Sequence, residues 1–66
     1  MTYLEKMSLK ALRVNAKLTQ QELAEALGFA LSTIKNWENG KTFPKQPAIE
    51  KLCEFYNVPY DYIRFE

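Results

Sequence analysis

Two glycine stops in the middle of this chain define two helices with almost no residues between them, so the helices must pack against each other at a tight corner. Thr19-Gln20-Gln21-Glu22 has the form of a capping box. In it the Thr19 hydroxyl accepts from the Glu22 amide and the Glu22 carboxylate accepts from the Thr19 amide. Leu18 and Leu23 flank the box at the positions of a hydrophobic staple. Leu23, Ala24 and Leu27 continue as an apolar stripe, and Gly28 stops the helix as a left-handed residue. After a gap of two or three residues, a second helix is predicted from about Leu31 to Asn39, with Gly40 stopping it in the same way. Ile34 and Trp37 fall inward on that helix at i, i+3, while Leu31, Ser32, Lys35 and Asn36 form a separate stripe.

The flanks also read as helical. A first helix is predicted over Leu9–Asn15 with Ser8 as N-cap, placing Leu9, Leu12 and Ala16 on one face with Arg13 beside them. After the loop Lys41-Thr42-Phe43-Pro44-Lys45, Pro47 at a first helical position opens a helix to about Tyr56, with Ile49, Leu52, Cys53 and Tyr56 at core spacing. Val58-Pro59 leads to a last short helix, roughly Tyr60 to Ile63. Residues 2–7 and 62–66 either pair as short strands or extend helices. The fold class expected is an all-α, five-helix bundle forming a single domain over residues 1–66.

Composition bounds what such a bundle does. A chain of 66 residues buries only about 60% of the surface it exposes unfolded, and a 47% hydrophobic content supplies the dense core this requires. No apolar run approaches the roughly 18 residues of a membrane span. The start, Met1-Thr2-Tyr3-Leu4-Glu5-Lys6, lacks the pattern of a signal peptide, so a cytoplasmic location is expected. Cys53 is the single cysteine and histidine is absent, so neither an intrachain disulfide nor a metal site is expected, and Cys53 reads as a small core hydrophobe. With no glycine-rich phosphate loop either, no enzyme activity, cofactor or small-molecule ligand is expected. The net charge is +1, but Lys and Arg number seven against four Glu through residue 45, and two against four acids after it. This is either a basic front that orients the domain on a polyanion or ordinary surface charge.

The glycine-linked helix pair is the skeleton of a helix-turn-helix, in which the second helix enters the major groove. Gly28 permits the sharp turn and Ala24 lets the helices approach closely. Geometry alone also allows an αα-hairpin with no DNA role, and the Lys35/Asn36 face also reads as a plain solvated surface. Trp37, spaced with Ile34, reads as core filler rather than a base-stacking residue.

The longer string is more specific. Leu18-Thr19-Gln20-Gln21-Glu22-Leu23-Ala24-Glu25-Ala26-Leu27-Gly28, then Ser32-Thr33-Ile34, Trp37-Glu38-Asn39-Gly40-Lys41 and Pro44, resembles the Cro/cI (XRE-type) family of bacterial and phage repressors. Tyr56-Asn57-Val58-Pro59-Tyr60-Asp61 is similar to that family's closing segment, most of all in small phage Cro-like proteins. The resemblance runs over about residues 8–63. It implies a lambda-repressor-like domain with base contacts from Leu31, Ser32, Lys35 and Asn36. Among these, Asn36 suits adenine, Lys35 suits guanine or a phosphate, and Leu31 suits a thymine methyl. It implies phosphate contacts from Gln20, Asn39, Lys41 and Thr42, and a structural pair between Arg13 and Glu38. Two positions depart from the family. Ala30 stands where a serine-like N-cap is preferred, a loss of about 1 kcal/mol, and Leu31 stands where a polar residue is common.

The function implied is a transcription regulator that binds double-stranded DNA, a repressor on an inverted-repeat operator. It would act as a homodimer with half-sites about 34 Å apart or a multiple of that. Its control would lie in its own concentration or in a competing repressor. The aromatic tail Tyr60, Tyr62, Ile63 and Phe65 either closes the core or forms the dimer surface, and a mixture is expected. The competing reading is a protein-interaction module, such as an antitoxin, that holds a partner with this tail. RNA binding fits poorly, since an A-form major groove does not admit a helix.

Overall fold

The computed structural model describes residues 6–65. Strand β1 (Met7–Ser8) leads into α1 (Leu9–Asn15), α2 (Gln20–Leu27), α3 (Leu31–Asn39) and α4 (Gln46–Tyr56). A 3-10 turn (Tyr60–Tyr62) and strand β2 (Ile63–Arg64) follow. The expectation of five helices is corrected to four and a 3-10 turn. The reason is local: Pro59 is extended at ψ 159° and Ile63 is extended again at ψ 131°, leaving only three residues to coil between them. The chain ends meet as strands. β1 and β2 pair in parallel, Met7 opposite Ile63 and Ser8 opposite Arg64. Of the terminal residues expected to pair or extend helices, 2–5 and 66 lie outside the described residues.

The core is built from one to three positions per element. Leu9 and Leu12 of α1 meet Leu23, Ala24 and Leu27 of α2, Ile34 and Trp37 of α3, Ala48 and Leu52 of α4, and Ile63 of β2. Ile34 and Leu52, each 1% exposed, are the centre. Three sequence expectations shift here. Ala16 is exposed, because α1 stops at Asn15 before a further turn can bring it round. Helix α4 starts at Gln46, putting Pro47 at its second position. Ala48 takes the buried place expected of Ile49, which is half-buried. Among the described residues, no helix is long and apolar enough to cross a membrane.

All four helices stop the same way. A left-handed residue reverses the chain, and the next amide bonds back to a carbonyl five residues earlier, satisfying an end the helix leaves open. The left-handed residues are Lys17 (φ 61°), Gly28 (φ 81°), Gly40 (φ 79°) and Asn57 (φ 56°). The bonds are Leu18 N to Arg13 O at 3.2 Å, Phe29 N to Ala24 O at 2.9 Å, Lys41 N to Asn36 O at 3.0 Å and Val58 N to Cys53 O at 3.0 Å. After three of these turns the next side chain, Leu18, Phe29 or Val58, packs on the core. After α3 it is Lys41, exposed.

Lysine is the least suited of the four left-handed residues, since its Cβ crowds the backbone by about 1–2 kcal/mol. Lys17→Gly therefore raises stability by about 0.5–1 kcal/mol after the added chain entropy of glycine, a thermal midpoint higher by about 2–8 °C. Gly28→Ala acts oppositely, by about 1 kcal/mol. No atom lies within 4 Å of an added Cβ there, so its penalty is backbone strain alone. Thermal melts followed by circular dichroism check both signs.

Candidate nucleic-acid interface

The corner between α2 and α3 is set at both ends of α2. At its start the capping box forms as the sequence predicts, with Glu22 N to Thr19 Oγ1 at 3.0 Å and Thr19 N to Glu22 Oε1 at 2.8 Å. At its end Lys51 of α4 reaches over, its Nζ 3.4 Å from the Leu27 carbonyl and 5.2 Å from the Phe29 ring centroid. Phe29 in turn meets Trp37 edge-on at 5.1 Å, which confirms the tryptophan as a core residue facing away from the α3 stripe.

One polar cluster ties α3 to the rest. Arg13 of α1 and Glu38 of α3 form the two-pronged pair expected of them, Nε to Oε2 at 2.7 Å and Nη2 to Oε1 at 3.2 Å. The third arm of the guanidinium, Nη1, donates to the Leu18 carbonyl at 2.7 Å. Gln20 joins from α2, its Nε2 donating to Glu38 Oε1 at 3.0 Å. Three helices thus converge on one carboxylate. The Arg13 and Glu38 side chains are only 11% and 4% exposed. The bond to Glu38 holds the Arg13 pKa above its ordinary value, against the opposing effect of burial. Tyr56 of α4 borders the cluster, and its buried hydroxyl has no hydrogen-bond partner among the described residues. Burial, with Glu38 adding to it, pushes its pKa up to about 12.

On the side of α3 away from Ile34 and Trp37, the four stripe residues range from exposed to half-buried. Ser32 and Lys35 are exposed, and Leu31 and Asn36 are half-buried. Their helix begins at Ala30 with no side-chain cap. Asn39, its last residue, and Lys41 and Thr42 beyond it are all exposed. The backbone of that loop is folded onto the helix end through the Asn36 carbonyl, which accepts from Lys41 N at 3.0 Å and Thr42 N at 3.4 Å. Gln20 lies half-buried at the first position of α2.

Of the aromatic tail, three of the four members turn toward the core. Ile63 is 3% exposed inside the core, and Tyr62 and Phe65 pack against it. The Tyr62 hydroxyl lies 3.1 Å from Met7 Sδ. Ile63 is thereby withdrawn from any dimer surface. Tyr60 alone stays open, 56% exposed and stacked on Phe65 at 5.9 Å. The Gln20 bond to Glu38 and the Lys51 reach to Leu27 were not legible in the sequence. Both join residues 18 or more apart whose types are common on any helix surface.

A buried pair that loses one member leaves the other charge stranded, at about 3–5 kcal/mol. Glu38→Leu is therefore expected to destabilise by that amount. Combining it with Arg13→Met should restore part of the loss, because no unpaired charge then remains. Urea denaturation of the two single variants and the double variant checks this. Simple addition of the two losses would contradict it.

Comparison with known proteins agrees with this geometry. A helix-turn-helix family model matches residues 9–63, from the first residue of α1 into β2. The cryptic phage CTXphi transcriptional repressor RstR of Vibrio cholerae is 39% identical over 51 residues, 77% of this chain and 46% of that protein. The HTH-type transcriptional activator BcrR of Enterococcus faecalis is 36% identical over 53 residues, 80% of this chain and 26% of that protein. The HTH-type transcriptional repressor RghR of Bacillus subtilis is 39% identical over 59 residues, 88% of this chain and 44% of that protein. The chain spans less than half the length of each of these curated relatives. No solved structure matches it. The chain belongs to the Cro/cI-like, XRE-type family of helix-turn-helix proteins.

Proposed function

We propose that the chain is a sequence-specific double-stranded DNA-binding domain over its whole length and regulates transcription, as a repressor that binds an inverted-repeat operator as a homodimer. The observation that carries this reading is the split of α3. Ile34 and Trp37 anchor one face in the core, while Leu31, Ser32, Lys35 and Asn36 stand on the other. A helix held by one side and open on the other is what major-groove reading requires.

In this reading Asn36 bonds an adenine edge with its amide, Lys35 reaches guanine or a phosphate, Ser32 donates or accepts, and Leu31 meets a thymine methyl. Asn39 at the end of the helix, with Lys41 and Thr42 just past it, grips the backbone. Gln20 serves two oxygens, since its Nε2 carries two hydrogens and only one is spent on Glu38. Its second hydrogen and the first-turn amides of α2 suit a phosphate. Phosphate contacts fix the register so that the stripe reads bases rather than sliding past them. The dimer contact falls to Tyr60 with Phe65 beneath it. Relatives named as repressors and as an activator support regulation of transcription. The repressor role follows from blocking a promoter by occupancy.

Selection from a random duplex pool gives the cognate site, and variants then separate the roles. Asn36→Ala is expected to lose about 1–3 kcal/mol on the selected site and little on random DNA. Lys41→Ala is expected to weaken both alike and to lower the salt slope by about one. Titrations between about 50 and 200 mM salt measure both effects. An unchanged affinity of Asn36→Ala for the selected site would remove it from the base contacts.

A further inference from the structure

The stripe and the tail leave one large surface unexplained. Helix α4 turns Pro47, Ala48, Lys51, Glu54 and Phe55 to one side, at i, i+1, i+4, i+7 and i+8, the spacing of a single helical stripe. Two grooves run along it and share Lys51. One, of about 440 Å³, has Phe29, Trp37 and Ala48 along its floor and Phe43 and Lys45 at its far end. The other, of about 350 Å³, ends at Glu54 and Phe55. Neither is lined by Leu31, Ser32, Lys35, Asn36 or Tyr60. Two of the few large apolar side chains left exposed sit at its ends, Phe43 at 56% and Phe55 at 41%. The groove beside Phe43 is mainly apolar with Lys45 and Lys51 at its rim, the form of surface that marks a contact site, and the second groove continues it as a polar stretch ending at Phe55.

The two ends have opposite charge. Lys45 lies beside Phe43, and Glu54 lies beside Phe55, about 13 Å away along the helix at 1.5 Å per residue. Lys51, between them, has its charge drawn back onto the Leu27 carbonyl and the Phe29 ring. A strip that is basic and aromatic at one end and acidic and aromatic at the other is complementary to itself when turned through a two-fold axis.

We propose that this strip is a self-association surface, in which α4 of one copy lies antiparallel to α4 of a second. Lys45 and Phe43 of each copy face Glu54 and Phe55 of the other, so both charge pairs and both aromatic contacts form twice. Antiparallel packing also sets the helix dipoles favourably. The surface is separate from the base-facing stripe and from Tyr60. It therefore links copies without using the base-facing stripe or Tyr60, meeting the phosphate contacts only at Thr42 on its rim, and two such dimers joined back to back hold two DNA segments.

Sedimentation equilibrium without DNA tests the strip apart from any DNA reading. Lys45→Glu and Glu54→Lys each set like charges opposite each other in both halves of the pair. Each is expected to weaken self-association by about tenfold or more at low salt. Both sites are exposed, so circular dichroism should show the wild-type fold. In an equimolar mixture of the two variants, the two acids of one chain meet the two lysines of the other. Opposite charges then face each other at both ends of the strip, and the mixture is expected to regain wild-type strength to within about threefold. A wild-type chain that stays monomeric into the millimolar range would overturn the proposal. So would a mixture as weak as its components, or association lost in Tyr60→Ala and unaffected by Lys45→Glu.

Discussion

The Glu38 carboxylate is the point on which the arrangement turns. It is almost completely buried, and it is held by Arg13 of α1 and Gln20 of α2 at hydrogen-bond distance. A buried ion pair gives little net stability over apolar residues of the same shape, because desolvation offsets the attraction. What it gives is direction. The guanidinium is planar and takes the carboxylate with two prongs, and its third donor is committed to the Leu18 carbonyl where α1 hands over to α2. Rotation of α3 about its axis would break several of these bonds at once, so the helix has one seating.

That seating decides which side of α3 solvent sees. With Glu38, Ile34 and Trp37 fixed inward, the side chains at 31, 32, 35 and 36 have nowhere to go but out or to the rim. The end of α3 follows the same logic. Elsewhere in the chain, the residue after each left-handed turn is apolar and packs down on the core. After α3 the same turn presents Lys41, with the loop amides tied to the Asn36 carbonyl. One backbone device closes a core in three places and holds out a cation in the fourth.

Much of this was written locally. The capping box, the Gly28 and Gly40 stops, the Ser8 cap and the inward spacing of Ile34 and Trp37 each depend on residues within one turn, and the structure has them all. The Arg13–Glu38 pair was legible only through family likeness, because the two residues are 25 apart. What could not be read needs tertiary knowledge. Lys17 adopts a left-handed turn that nothing in lysine favours, imposed by the need of Leu18 to reach the core. The last helix fails to form because Ile63 must turn extended to pair with Met7. That pairing also draws the tail inward and leaves Tyr60 as its one open member. Charge composition was a weak guide, since the useful cations are set by geometry and not by the net value of +1.

Three surfaces therefore coexist on a small body: an outward stripe, an aromatic tail tip and a strip along α4. Backbone amide shifts recorded by NMR during titration with a selected duplex test most directly which of them meets DNA. The account predicts that the largest changes fall at Gln20, across 31–36 and at 39–42, while the amides of α4 from 48 to 55 hold still. Changes centred on α4 or on 60–65, with 31–36 unmoved, would contradict it.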